Sequence, residues 1–310
     1  MATSPQKAIH AALAANLLIA VTKFVAAQLS GSSAMLAEGI HSLADTSNEL
    51  LLLYGRRRAL LPPDEQFPFG HGKEVYFWSF VVAILVFAVG AGSSIYQGID
   101  HLMAPHPIRH SSVNYVVLAL AAVFEGGSWY VSLREFSRTK GKRGYFAAVH
   151  RAKDPSIFVV LLEDSAALLG LGTALAGIVL SHLTGNSMYD ASASVIIGLI
   201  LGVTASILAA ETKSLLIGES ANREVVEGIR EIVRSAEGIK HLNEILTLHM
   251  GPEFILVNLS VEFDDSASAD DIEAIVAGID TRIKRAYPHV KRIFVEAEAR
   301  RAKVKASDIP

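Results

Sequence analysis

The chain has 310 residues, of which 51% are hydrophobic and 19% charged, with a net charge of -3 and a mean hydropathy of +0.37. Soluble domains carry about 25% charged residues, so a single water-soluble globule and a disordered chain are both excluded. With no cysteine, disulfides, iron–sulfur clusters and thiolate metal sites are ruled out, and any metal must be held by oxygen and imidazole nitrogen. The charge balance gives no broad basic face for nucleic acid.

A bilayer core about 30 Å thick needs roughly 20 mostly apolar helical residues to cross it. Six segments meet that need: 8–29, 33–55, 76–99, 113–133, 156–182 and 189–212. Ser30-Gly31-Ser32-Ser33 reads as a tight turn between the first two, and Gly185-Asn186-Ser187 separates the last two. Lys7 before an Ala/Leu-rich run also fits a signal peptide. The apolar stretch continues past Lys23 without an obvious cleavage site, and a second span follows at once, which favours a span. Alternate loops are unequal in charge. One set carries twelve Lys/Arg, among them Arg56, Arg57, Arg58, Lys73, Arg134 and Lys153, while the other carries only Arg109. The positive-inside rule then puts both termini in the cytoplasm.

The remainder reads as a soluble α-β-β-α-β domain. Residues 222–235 form an amphipathic helix with Val225, Val226, Ile229, Ile232 and Val233 at helical spacing. Two β-branched runs, Leu242–His249 and Phe254–Phe263, flank Gly251-Pro252, followed by a helix over 268–286 and a strand over Val290–Val295. The predicted layout is a transmembrane domain over 1–216, an α+β domain over 217–300 with helices on one face of a sheet, and a disordered tail over 301–310. A domain of this size gains from pairing with a second copy.

Ionisable residues inside apolar helices are costly and mark function by default. Here they are Glu38, Asp45, Glu49, Glu125, Glu163 and Asp164, with His41 among them. His41 and Asp45 lie one turn apart on one helical face, with Asn48 near the same stripe and Glu38 and Glu49 at its flanks. Imidazole with carboxylate suits Zn²⁺, Fe²⁺, Co²⁺ or Mn²⁺, and a polar clamp between helices uses the same spacing. Glu163 and Asp164 are adjacent, so they point about 100° apart and at most one faces His41 and Asp45 directly. Glu125, beside Gly126-Gly127, reads equally as a proton relay or as a structural hydrogen bond. The glycines Gly90/Gly92, Gly170/Gly172 and Gly198/Gly202 permit close helix contacts. No His-Glu-x-x-His or Gly-x-Ser-x-Gly signature of an enzyme is present.

The chain resembles the cation diffusion facilitators, proton-coupled exporters of divalent metals. Ala37-Glu38-Gly39-Ile40-His41-Ser42-Leu43-Ala44-Asp45 matches the family's His-x-x-x-Asp motif, and Phe69-Gly70-His71-Gly72-Lys73-Glu74 its Phe-Gly-His-Gly-Lys segment. Six spans and an α-β-β-α-β tail, ferredoxin-like in the family, extend the resemblance over essentially the whole chain. It implies zinc as the foremost cargo, with manganese, iron or cobalt as alternatives. It further implies protons as the counter-substrate, no tightly bound cofactor, no enzymatic activity and a homodimer in the bilayer.

The resemblance assigns His41, Asp45 and Asp164 to the intramembrane metal site. The fourth family position, one turn before Asp164, is Val160 and has no lone pair. Glu163-Asp164 instead looks like the Leu-Glu-Asp signature of a divergent subgroup that includes a mitochondrial zinc transporter-like protein of animals. Glu163 is the first choice to complete the sphere, ahead of Asn48, Glu49 or a water. Asp64 and His71 match two ligands of a second family site, with Phe67 where a histidine is expected. In the tail the family's dimer-interface metal cluster uses several histidines; here the corresponding region offers His241, Asn258, Glu296 and Glu298, with His249 nearby. The resemblance makes His241, His249 and Glu296 candidate metal ligands, and the depletion of the cluster favours a dimer independent of metal over a metal-loaded one. His101, His106 and His110 read as solvated loop residues. The want of a transit or signal segment favours a bacterial inner membrane.

Overall fold

The computed structural model describes residues 5–105, 111–141 and 144–299, with side chains from residue 13 onward except at 139, 146 and 157. His106, His110 and the predicted tail over 301–310 lie outside these residues. The described chain forms two compact units.

The first unit is helical. Its elements are α1 (Pro5–Ser30), α2 (Ser33–Ala59), α3 (Glu74–Leu85), a π-turn over Val86–Ala91, α4 (Gly92–Met103), α5 (Ser111–Lys140), α6 (Tyr145–Arg151), α7 (Pro155–Thr184) and α8 (Met188–Ile217). Five segments are long and apolar enough to cross a membrane: Leu13–Ser30, Glu74–Met103, Ser111–Arg138, Phe158–Thr184 and Met188–Ile217. Helix α2 has 27 residues, which at 1.5 Å per residue gives the same reach. Its buried face carries Glu38, His41, Ser42, Thr46 and Asn48 in place of apolar side chains, which is why its composition falls short.

Local chemistry sets the helix ends. Gly31, at a φ of 68°, turns the chain between α1 and α2, and Gly185, also at 68°, ends α7. Asp154 caps α7 by accepting from the Ser156 amide at 3.0 Å, with Pro155 in the first turn. The N-terminus of α2 is capped from another helix. Asp190 on α8 accepts from the Ser33 amide at 2.7 Å, the Ser33 hydroxyl at 3.0 Å and the Ser32 hydroxyl at 2.5 Å. It thereby fixes the start of the helix that bears His41 and Asp45.

Of the glycines singled out above, Gly198 lies within 3.0 Å (measured from a Cβ built there) of the Ala91 carbonyl, and α8 approaches the π-turn backbone at that point. A Cβ on Gly170 would collide with Oε1 of Glu38, so α7 needs a glycine there to accommodate α2. Gly172 has open space where a Cβ would sit, and its expected helix contact is not formed.

The second unit takes in the chain from Ser214 onward together with Ala59–Glu74, so the loop after α2 groups with it. Its elements are α9 (Arg223–Arg234), β1 (Ile239–Gly251), β2 (Phe254–Phe263), α10 (Ala269–Ala286) and β3 (Val290–Ala297). The sheet order is β1-β2-β3, with β1 antiparallel and β3 parallel to β2. Ile229 and Val233 of α9 and Ile279 and Ile283 of α10 pack with Val257, Leu259 and Val261 of β2 to form the core. A capping box of Ser268 and Asp271 starts α10. Gly72 lies against Met250 and Gly251 at the β1–β2 turn, leaving no room for a Cβ.

Asp190→Ala removes the acceptor for all three of these donors. An N-cap loss costs about 0.5–2 kcal/mol, so the thermal midpoint of the detergent-purified protein is expected to fall by several degrees. An unchanged midpoint would show that α2 does not depend on this cap.

Candidate functional site

The site is built from α2, α5 and α7 within the first unit. One helical turn on α2 brings His41 Nδ1 within 3.4 Å of Asp45 Oδ1. His41 is 1% exposed, and neither of its ring nitrogens has a hydrogen-bond partner; Asp45 Oδ1 is likewise unpartnered. Buried polar atoms are paired in the great majority of cases, so three orphaned lone-pair or N–H positions on adjacent side chains single this pair out as the candidate ligand position.

Asp164 on α7 accepts hydrogen bonds from Ser128 and Ser132 of α5, each at 3.0 Å. Asp45 and Asp164 line one cavity of about 50 Å³, together with Asn16, Ser42, Glu125 and Ser128. Glu163 is turned away from it. Its Oε1 accepts from Asn48 Nδ2 at 2.9 Å, and it is not among the lining residues. Asn48 and Glu163 thus tie α2 to α7 beside the cavity, and the expectation that Glu163 completes a metal sphere is not met in this arrangement. Glu49 accepts from Asn16 at 3.1 Å. Among the described residues, no three His, Asp or Glu side chains converge closely enough to hold a metal ion as they stand.

Sequence reasoning passed over Lys23. It is 0% exposed, and its Nζ lies 3.0 Å from Glu38 Oε2, 2.7 Å from Glu125 Oε1 and 2.7 Å from Ser42 Oγ. Glu125, read above as a relay or a structural hydrogen bond, is here half of an ion pair. The available signal was a lysine inside the 18-residue apolar window Leu13–Ser30, which deserves the same suspicion as a buried acid.

The secondary positions act as braces. His71 Nε2 is 3.0 Å from Asp64 Oδ2, its ring packs on Phe67 at 4.5 Å, and Asp64 Oδ1 accepts from the Phe67 amide at 2.6 Å. Both Asp64 oxygens are therefore engaged inside the loop. In the sheet, His249 pairs with Ile255 and its ring meets the Gly251 carbonyl at 3.3 Å, whereas Glu296 pairs with Ser260 and accepts from Asn258. Five residues of strand separate those levels, about 16 Å at 3.3 Å per residue. His241 sits opposite Glu262. Within one chain His249 does not converge with His241 and Glu296 on a common ion.

Long apolar helices enclosing buried carboxylates and an imidazole, joined to a small α+β unit, define a membrane protein of the class that handles cations. Comparison with known proteins agrees. The model for the cation efflux transmembrane domain matches residues 9–217, and that for the cation efflux protein cytoplasmic domain matches residues 221–300. The chain belongs to the cation efflux family, whose members are cation transporters and not enzymes.

Three relatives frame it. The proton-coupled zinc antiporter SLC30A9, mitochondrial, of Mus musculus is 33% identical over 262 residues, covering 84% of this chain and 46% of that protein. Metal tolerance protein C4 of Arabidopsis thaliana is 29% identical over 261 residues, covering 84% of this chain and 57% of that protein. The manganese efflux system protein MneP of Bacillus subtilis is 24% identical over 291 residues, covering 92% of each. The chain spans about half the length of the first two of these curated relatives.

The Asp64–His71 bond makes a pH prediction. The hydrogen bond from His71 holds the Asp64 carboxyl below the ordinary carboxylate range. A depressed folded-state value stabilises above the unfolded pKa, and that contribution is lost as pH falls through the folded one. Exchange protection of the Phe67 amide, corrected for intrinsic rates, should exceed that of an Asp64→Asn variant at pH 6. The difference should vanish below about pH 3. A difference that persists there would show that ionisation of Asp64 does not brace the loop.

Proposed function

We propose that this protein exports a divalent metal cation, zinc foremost, in exchange for protons by alternating access. The observation that carries the reading is the buried His41–Asp45 pair with unpartnered ring nitrogens, beside a cavity that Asp45 shares with Asp164. Imidazole and carboxylates bind zinc when deprotonated. Metal and protons therefore compete for the same lone pairs, and whichever is abundant on the side the site faces displaces the other. Both serines donate to Asp164 Oδ2, which leaves Oδ1 as the atom that would meet the ion alongside Asp45. Rocking of helices about a fixed site exposes it to each side in turn. Glu163 is held by Asn48 and does not line the cavity, so in this reading water supplies the fourth ligand position that Val160 leaves open.

The names of the mouse and Bacillus subtilis relatives support zinc first and manganese second; iron and cobalt suit the same ligands. The match of residues 221–300 to the family's cytoplasmic domain, with its modest core, supports a homodimer. The Lys/Arg asymmetry supports both termini on the cytoplasmic side. We retain a bacterial inner membrane as the location; the mouse relative is named as mitochondrial. A scaffold that merely anchors a partner-binding tail is the rival reading.

Uptake of Zn²⁺, Mn²⁺, Fe²⁺ and Co²⁺ into proteoliposomes under an imposed pH gradient separates these readings. Zinc flux with counter-movement of protons is expected. Asp45→Ala and Asp164→Ala should each lower it by at least about 100-fold, at or beyond the upper end of what loss of a supporting residue costs. No flux of any of the four ions would favour the scaffold, and full flux in either variant would discard this site.

A further inference from the structure

The bundle holds several buried or half-buried acids on α2, α5 and α7, but among the described residues Lys23 is the only buried lysine or arginine. Its ammonium is placed with care. It bridges Glu38 on α2 and Glu125 on α5, and the Ser42 hydroxyl takes a third contact, so all three ammonium protons have a place to go. Glu38 is sealed in, pressed against Gly170 of α7. Glu125 differs. It lines the cavity that Asp45 and Asp164 also line, whereas Glu38 does not; each of the two acids keeps one unpartnered oxygen, Oε1 of Glu38 and Oε2 of Glu125. Ser42, the third contact, lines that cavity as well.

The cavity therefore has three carboxylates on its wall, one of which is tied to an ammonium. A divalent ion entering it meets Asp45 and Asp164 free of counter-charge, and meets Glu125 already compensated. Without the ammonium, Glu125 would be a third uncompensated carboxylate on the same wall, with Glu38 buried behind it, and carboxylate oxygens so placed bind divalent cations. A transporter must release what it binds, and surplus negative charge around the cargo slows release.

We propose that Lys23 is a tethered counter-cation. It withdraws Glu125 from competition for the cargo, so that the ion binds at Asp45 and Asp164 and can leave. The inference rests on the export reading above and adds to it a positioning residue on α1 that does not touch the cargo. Because the ammonium also ties α1, α2 and α5 together, a purely structural role must be separable from a charge-setting one.

The test uses full-length protein in proteoliposomes, with zinc uptake measured as a function of zinc concentration for wild type, Lys23→Met, Lys23→Arg and the double variant Lys23→Met/Glu125→Gln. Lys23→Met should lower the maximal rate at least tenfold while KM for zinc falls, the mark of an ion held too tightly. Lys23→Arg keeps the charge and should stay within threefold of wild type. The double variant restores charge balance without restoring the ammonium's hydrogen bonds, and should recover most of the maximal rate and the wild-type KM. Four results would overturn the proposal: a Lys23→Met protein that matches wild type in both parameters, one whose KM rises, a Lys23→Arg protein as impaired as Lys23→Met, or a double variant that folds yet shows no recovery. If Lys23→Met does not fold, the double variant decides: the proposal requires it to fold and transport, and failure to do so assigns Lys23 a structural role. Absence of zinc uptake by wild type would instead remove the export reading itself.

Discussion

The constraint behind this structure is the cost of charge in a medium that cannot solvate it. An uncompensated ionised side chain among apolar helices costs several kcal/mol even on lenient scales, so each buried acid needs a partner. The bundle supplies three kinds. Glu38 and Glu125 share an ammonium from Lys23. Glu163 and Asp164 take neutral donors, an amide from Asn48 and hydroxyls from Ser128 and Ser132. His41 and Asp45 have little but each other, at 3.4 Å. That last pair has the most unpartnered atoms in the network, three, and its Asp45 lines the cavity.

These pairings also organise the helices. Lys23 ties α1 to α2 and α5, Asn48 ties α2 to α7, the serines tie α5 to α7, and Asp190 pins the start of α2 to α8. Helix α2 takes part in three of the four links and carries both residues of the unsatisfied pair. In the proposed reading a cation bound there would change the compensation of several carboxylates together, and so bias the arrangement of the helices that carry them. Such polar links between membrane helices are individually modest in energy, which is compatible with the helix rocking proposed above.

Much of this was legible in the chain. The spans, the Ser30–Ser33 turn, the α-β-β-α-β tail and the shared face of His41 and Asp45 follow from periods of 3.6 and 2 and from turn chemistry, all of which are local. The divergence of Glu163 from Asp164 was local too, because adjacent helical residues point about 100° apart. The partners were not legible. Lys23 meets Glu38 across 15 residues and Glu125 across 102, and Asn48 meets Glu163 across 115; no periodicity encodes such pairs. The same limit applied in the tail, where histidines that look clustered by number are separated by strand register, and at Asp64 and His71, whose ligand-like identities serve to brace a loop.

Whether His41 binds the cargo can be read from zinc K-edge X-ray absorption of the zinc-loaded full-length protein in lipid nanodiscs. The account predicts a shell of oxygen and nitrogen ligands near 2.0–2.1 Å with one imidazole contribution, which disappears in His41→Ala. Persistence of the imidazole signal in that variant, or two or more imidazoles around the ion in the native protein, would place the metal elsewhere and contradict the account.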